Sequence, residues 1–472
     1  MSQEDRTNNN IEESTLEVNI SHQTFRTSNQ AIAWLCVLAF FSVLNETVFN
    51  VALPDIAKQF GVLPAAANWV NTSFILSFSI GSVVYGKISD LFGVKKLLLF
   101  GILIYSGGSL FGLLAHTFLP AMIAARFIQG VGASAVPALI MVMIARFVDS
   151  RGRGKAFGMV GSLVATGEGI GPALGGLITQ YVHWSLLFLI PIITLVVLPF
   201  LYKRLPYEPP VSKGKIDLLG ISILSIGISL FSLYMTNFHW SSLLTGVGFI
   251  GWFAFHIKRS KNPFIEPHLF KKRNFILCVL SGCILLGTTA GFLSMVPYMM
   301  KDVHHLAAGI IGSGIIFPGT TSVILFGMIG GILVDKWGNR FILCIGLTMI
   351  LVSFLILSLL LDQSPWITTG MLILTLGGLS FIKTVISNTV AGSLDPENVG
   401  AGMGLLNFAC FLSEGFGIAF VGGMLSQELF NSQLLINFKN QAAYLYSNML
   451  LVFILIMLIG GAVYLLNDRR IR

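Results

Sequence analysis

The chain has 472 residues, of which 54% are hydrophobic and only 11% charged, with a formal net charge of +8. A soluble domain usually carries about 25% charged residues. These figures exclude a soluble enzyme, a secreted disulfide scaffold and a disordered chain. They fit an all-α integral membrane protein that crosses the bilayer many times, because only lipid surrounds so much apolar surface.

Residues 1–28 read as a disordered cytoplasmic tail, rich in Asn, Ser and acidic residues and without an apolar run. They form neither a signal peptide nor a lipidation motif. Beyond the tail, charges, prolines and Gly/Asn clusters divide the chain into fourteen apolar segments of spanning length. They lie near 30–51, 68–87, 97–116, 120–145, 156–180, 184–202, 217–236, 241–257, 274–299, 309–333, 341–361, 366–386, 402–425 and 444–466. With a cytoplasmic N-terminus, 24 of the 29 Lys/Arg fall in cytoplasmic segments or span ends. Lys58, Lys301 and Lys439 fall outside, and Arg126 and Lys383 lie within spans. The basic surplus is therefore read as membrane topology, both termini are expected in the cytoplasm, and no nucleic-acid partner is expected. Five cysteines, all in apolar stretches, read as reduced core thiols. No HExxH and no GxxxxGK[ST] occurs, which argues against a zinc site and an ATP-driven pump.

An internal repeat is visible. Gly86-x-x-x-Asp90-x-x-Gly93-x-Lys95 returns as Gly331-x-x-x-Asp335-x-x-Gly338-x-Arg340, 245 residues on. Gly154 to Gly158 returns at Gly400 to Gly404, and Glu168-Gly169 at Glu414-Gly415, each 246 on. Pro54 and Pro297 lie 243 apart. The expected organisation is a six-helix bundle over 29–203, two inserted helices with their linkers over 204–273, a second six-helix bundle over 274–466 and a short tail over 467–472. Two parallel bundles related by an axis along the membrane normal are one of the repeat arrangements of transporters.

Several of these residues carry a resemblance. Gly86 to Lys95 resembles motif A of the major facilitator superfamily, and Arg126-Phe-Ile-Gln-Gly-Val-Gly132 resembles motif B. Gly167-Glu-Gly-Ile-Gly-Pro-Ala-Leu-Gly-Gly176 resembles motif C, a mark of drug/proton antiporters. Asn50-Val-Ala-Leu-Pro-Asp-Ile-Ala57 is similar to the first-helix motif of the fourteen-span drug antiporters. Longer blocks, among them Phe40 to Glu46, Met295 to His304 and Ile315 to Thr320, resemble the Gram-positive tetracycline/proton antiporters. The resemblance covers residues 30 to 466 and implies the major facilitator fold. The long polar N-terminal tail departs from the family.

Ionisable groups inside a span are expensive, at roughly 2.5–3.5 kcal/mol on insertion scales. Glu46, Glu168 and Glu414 are expected to face a central cavity and exchange protons there, the alternative being structural carboxyls bonded to a neighbouring helix. Arg126 needs a carboxylate or carbonyls beside it; the resemblance implies a proton-transfer role, the alternative being an arginine that snorkels to the membrane surface. Lys383 divides evenly between a cavity-facing and a snorkelling role. Asp217 matches an acid important in the family, and its position alone reads as a helix cap. Gly86, Asp90, Gly93, Lys95, Arg153 and Asp335 read as a conformational latch, with the glycines permitting close helix approach. Gly167, Gly171, Pro172, Gly175 and Gly176 read as a tight, bendable contact where the two halves meet. Phe40, Phe41, Trp69, Phe74 and Phe78 are candidates for lining a drug cavity or for packing.

The resemblance implies proton-coupled efflux of a metal–tetracycline complex across the cytoplasmic membrane. Exchange of monovalent cations (Na+ or K+) for protons is implied as a second activity. No protein cofactor is expected, since the substrate carries its own divalent metal. The nearest rival is a multidrug/proton antiporter of the same fold with another drug range. A membrane-embedded enzyme needs a nucleophile or metal cluster, and a sensor needs an output domain; neither is visible.

Overall fold

In this computed structural model the described residues are 32–148, 150–205, 216–260, 263, 265, 267–395, 398–427, 430, 432–433, 438 and 440–468. The expected N-terminal tail, the Pro-rich 206–210 stretch and Lys439 lie outside them. Every regular element among the described residues is a helix.

Helices cover all fourteen expected segments. They are α1 (Ile32–Val48), the short α2 (Leu53–Phe60), α3 (Pro64–Phe92), α4 (Val94–Leu114), α5 (Leu119–Ile144), α6 (Ser150–Tyr181) and α7 (Trp184–Lys203). There follow α8 (Leu218–Asn237), α9 (Trp240–Arg259), α10 (Arg273–His304), α11 (Ala308–Leu360), α12 (Pro365–Gly392), α13 (Val399–Leu425) and α14 (Ala442–Asp468). Of these, α11 covers two of the expected segments, and α2 lies between the first and second. Ten are long and apolar enough to cross a membrane, or eleven with α1 and α2 taken together. The protein is thus a multi-pass membrane protein. α3 and α6, at 29 and 32 residues, are less apolar: α3 buries Asn68, Asn71 and several serines, and α6 is rich in glycine.

Two breaks in the helical path shape the fold. The first expected span, 30–51, ends as a helix at Val48, and after Phe49–Ala52 the chain continues as α2, bent by 51° from α1. The tenth and eleventh expected spans, 309–333 and 341–361, are separated within α11 by a kink at Gly338, whose φ of 79° is non-helical. Gly93, between α3 and α4, has the same φ of 79°. Left-handed backbone of this kind is open to glycine and strained for residues with a Cβ. The repeated glycine of the motif therefore turns the chain sharply at the same place in both repeats.

Prolines start several helices where no backbone donor is needed: Pro54, Pro64, Pro120 and Pro365 occupy their first turns. Ser281 bonds the carbonyl of Gly460, and Tyr446 bonds Asp302, so α10 and α14 run antiparallel. Pairings of this kind place Ile32 and Asp468 on one face, here the terminal face. Pro64, His304 and Pro365 lie at the opposite, distal face. α3 packs against α13, and α6 against α11, with α2 meeting α10 at the distal end. α8 lies in the seam and touches both α3 and α13. Its Phe231 and Phe238 meet Phe416 and Phe420 of α13 edge-on.

Candidate functional site

Motif C explains how the walls approach. A Cβ on Gly171 would strike the Thr47 hydroxyl, and one on Gly175 would strike the Val48 carbonyl. α6 thereby lies directly on α1. On its other side, a Cβ on Gly176 would strike the Ala308 carbonyl, and one on Gly312 would strike the Pro172 carbonyl. Gly167 approaches the Phe40 carbonyl in the same way. The motif residues thus bring α1, α6 and the start of α11 to backbone contact. α10 and α13 repeat the device through Gly287, Gly291 and Gly417, which the sequence reading passed over.

Inside these walls is a central cavity of about 120 Å³. Glu46 enters it from α1, Glu168 from α6, Lys383 from α12 and Glu414 from α13. Thr47, Asn50, Thr289, Thr320 and Ser380 add hydroxyl and amide groups, and Ile75, Leu286, Leu293 and Ile418 supply apolar wall. Three carboxylates face one ammonium, a formal charge of −2 when all are ionised. Low-dielectric surroundings magnify such an imbalance. Neutralising a carboxylate or adding a positive charge there would relieve it. Drug-sized pockets are usually about 300–1,000 Å³, so the cavity must widen to hold such a ligand.

The candidate residues divide clearly. The structure brings together Glu46, Glu168, Lys383 and Glu414, and Lys383 takes the cavity-facing one of its two readings. Arg126 does not line the cavity. It is fully buried between the rings of Phe49 and Phe74, 4.3 and 4.2 Å from their centres. Its Nε donates to the Val70 carbonyl at 3.1 Å and its Nη1 to Gln129 at 3.0 Å. The expected neighbour is therefore a carbonyl, with aromatic faces supplying the rest of the attraction. None of Phe40, Phe41, Trp69, Phe74 and Phe78 lines the cavity. Phe78 stacks on Phe74 and meets Phe411, so these rings are packing residues.

Asp217 stands away from the cavity at the start of α8. Its Oδ1 accepts from the Gly220 amide at 2.9 Å, which caps the helix, and meets His256 Nε2 of α9 at 2.8 Å. The latch residues lie at the terminal face. Lys95 donates to the Leu205 carbonyl at 2.9 Å and sits over the Tyr202 ring. Arg153 is exposed, and its Nε donates to the Val148 carbonyl at 2.9 Å. Asp335 is exposed, and the Asp90 side chain lies outside the described part. The close approach expected at Gly86 is not made here, since a Cβ there would meet nothing within 4 Å.

Bonds between the two sets of helices gather from the distal face to mid-depth. Lys301 meets Asp55, Tyr298 donates to Asn68 at 2.9 Å, and the Gly309 amide donates to Gln180 at 2.8 Å. Thr320 donates to the Gly169 carbonyl at 3.0 Å and Ser79 to the Phe408 carbonyl at 3.0 Å. Toward the terminal face, Gly158, Gly161, Gly400 and Gly404 border open space. Among the described residues, these bonds between the halves thus lie level with the cavity and on its distal side.

Comparison with known proteins agrees with this architecture. The chain is 25% identical over 407 residues to the multidrug transporter protein MdtP of Bacillus subtilis, covering 84% of this chain and 75% of the relative. It is 26% identical over 405 residues to the riboflavin transporter RibZ of Clostridioides difficile, covering 84% and 88%. A bacterial homologue of the human lysosomal transporter Spinster, in an inward-facing and unoccupied conformation, superposes with a TM-score of 0.67. That structure is 14% identical, and the match covers 94% of this chain and 97% of that one. The sequence profile of the Major Facilitator Superfamily matches residues 35–418. On that match, with the helices and the central cavity described above, the chain belongs to the major facilitator superfamily and is a small-molecule transporter rather than an enzyme.

Proposed function

We propose that the protein is a drug/proton antiporter of the cytoplasmic membrane that exports amphipathic, cationic small molecules. The observation that carries this reading is the Glu46–Glu168–Lys383–Glu414 cluster in the central cavity of a superfamily transporter. A cationic drug entering from the terminal side is held by the excess negative charge. Protons arriving from the other side neutralise the carboxylates, which then no longer attract the cation, and the drug leaves. Proton release into the cytoplasm resets the site. Alternating exposure of the cavity supplies the coupling.

This reading takes all fourteen segments as spans, arranged as two six-helix bundles over 29–203 and 274–466 with α8 and α9 inserted. Both termini are cytoplasmic, so the distal face is the outer one. Gly86, Asp90, Gly93, Lys95, Arg153 and Asp335 then form a latch that is made when the terminal side closes. Arg126, remote from the drug, acts on proton movement through its neighbours.

A broad drug range is favoured over a single substrate because a relative 25% identical carries the name of a multidrug transporter. Tetracycline, exported as its cationic metal complex, is the second reading and is supported by the sequence blocks at Phe40–Glu46 and Met295–His304. Exchange of Na+ or K+ for protons belongs to it.

The test uses everted membrane vesicles under an imposed pH gradient. Uptake of ethidium, and of tetracycline with Mg2+, is measured for the parent and for Glu414→Gln. Gradient-driven uptake of either compound that falls at least about tenfold, about 1.4 kcal/mol, in Glu414→Gln supports the reading. Accumulation of tetracycline alone selects the narrow form. Unchanged uptake in Glu414→Gln removes that residue from the mechanism.

A further inference from the structure

Two of the five thiols of the chain meet in the folded protein. Cys283 of α10 and Cys410 of α13 hydrogen-bond to each other. The other three have different surroundings. Cys278 donates to the Ile386 carbonyl at 3.8 Å, Cys36 is buried in a separate core cluster, and Cys344 is exposed.

The pairing follows from the glycine contact of α10 with α13. A Cβ on Gly287 would strike the Ser413 carbonyl, and one on Gly417 would strike the Gly287 carbonyl. One on Gly282 would come within 3.6 Å of the Cys410 sulfur. These contacts advance along both helices in the same direction, so α10 and α13 run parallel with their backbones touching. The thiol pair sits one turn to the terminal side of the Gly287–Ser413 contact. Neither helix can withdraw its sulfur without parting the glycine seam, so the two thiols are held together in advance of any ligand. Cys410 lies one turn before Glu414 on the same helix face. The charge of Glu414 acts on both thiols, and that of Lys383 on Cys410. The pair thus adjoins the charged groups of the central cavity, although neither cysteine lines it. Cys283 is half-buried and Cys410 is 8% exposed, so a small reagent reaches the pair through Cys283.

Two preorganised thiols without a third donor suit a particular chemistry. A structural zinc ion takes four ligands, and among the described residues no group of three or more His, Cys, Asp or Glu gathers to hold a metal. A monosubstituted trivalent arsenical has one bond to carbon and completes its valence with two sulfurs. We infer that Cys283 and Cys410 form a binding site for monosubstituted trivalent arsenicals, and that its occupation stops transport from beside Glu414. With phenylarsine oxide, two S–As bonds form and the arsenic–oxygen bond breaks. The oxygen leaves as water with both thiol protons, and no oxidation state changes. The bridge places a phenyl group about one helical turn from Glu414. The block of transport rests on the transport reading above, whereas capture of the arsenical does not.

The test treats the purified full chain in detergent with phenylarsine oxide and then strips adducts on single thiols with excess β-mercaptoethanol. Intact mass is expected to show a single phenylarsine per chain, released by dimercaptopropanol. Pepsin digestion of the parent adduct at low pH is expected to give a Cys283 peptide joined to a Cys410 peptide through arsenic. In Cys283→Ser the retained adduct is expected to fall at least about tenfold, because one thiol cannot chelate. Cys344→Ser is expected to retain it. A parent that keeps no adduct overturns the site, as does an arsenic bridge between any other two cysteines, and neither result depends on the folding of a variant. In everted vesicles, the arsenical is expected to stop gradient-driven uptake by the parent and to spare Cys283→Ser. Unchanged uptake by a parent that carries the adduct overturns the block. Failure of the drug/proton assignment shows instead as absent uptake before treatment, and it leaves the mass readout standing.

Discussion

Arg126 shows how a guanidinium survives within a span with no carboxylate bonded to it. Two aromatic faces, a backbone carbonyl and Gln129 replace part of its hydration, and Nη2 is buried without a hydrogen bond. Gln129 in turn donates to Ser109 at 2.7 Å, so the group anchors α3, α4 and α5 together. Arg126→Ala empties that slot and strands Gln129. It is expected to lower stability by about 2–4 kcal/mol, read as thermal unfolding in detergent. Arg126→Lys keeps the charge but loses the flat stack between the rings, and is expected to fall between the two. A parent-like melting temperature for Arg126→Ala would contradict this account. At the terminal face, Lys272 bonds Asp395 at 2.6 Å and holds its carboxyl below the usual carboxylate range. A depressed folded value stabilises above the ordinary carboxylate pKa and is lost as pH falls through the lower value. The melting difference between the parent and Asp395→Asn should therefore exist at pH 7 and close below about pH 4. Single residues also mark how far the sequence could be read. The cost of burying charge singled out Glu46, Glu168, Lys383 and Glu414 before their common cavity was visible. The same rule grouped Arg126 with them, although it lies behind the wall, because burial cost carries no direction. Thr289, Thr320 and Ser380 went unseen, since hydroxyls are common within spans and bond their own helix as often as a ligand.

At the scale of the element, α6 illustrates what a glycine pattern decides. One stripe, Gly167, Gly171 and Gly175, fits α1, and Gly176 fits the start of α11. The first contact lies within one repeat and the second between repeats. The two faces should thus respond differently to added volume. Gly175→Ala drives a methyl into the Val48 carbonyl and is expected to destabilise by about 1–3 kcal/mol. Gly176→Ala meets Ala308 across the distal closure. Its added volume is expected to favour the distal-open state, with a smaller loss of stability because the repeats can part. Reaction of Trp366→Cys with an impermeant maleimide, faster in Gly176→Ala than in its parent, is the measurement for the second. Equal rates would place that contact outside the moving seam. Most helix boundaries were legible to within about six residues, because prolines and glycines punctuate them for local reasons. The break after Val48 was not. The expected first span runs to 51, and the chain turns earlier because Val51, Ala52, Leu53 and Ile56 find burial off the line of α1.

For the whole molecule, the state and the orientation are separate matters. The bonds on the distal side describe a single conformer, and alternating access requires its mirror arrangement. With cytoplasmic termini, cysteines at Leu63 and Trp366 should be labelled from outside intact cells by an impermeant maleimide. A cysteine at exposed Lys155 should be labelled only in everted vesicles. The reverse pattern would invert the topology. The repeat, the apolar segments and the side of the basic residues were all present in the order of the amino acids. Hydropathy, chain length and charge placement are properties of local stretches against a bilayer, and they need no partner to act. What the tertiary structure alone decided is which of those stretches meet: that Lys383 turns inward, that Arg126 does not reach the cavity, and that Asp55 closes on Lys301. Each of these depends on how two helices distant in the chain pack and which faces they present, and no local pattern encodes that.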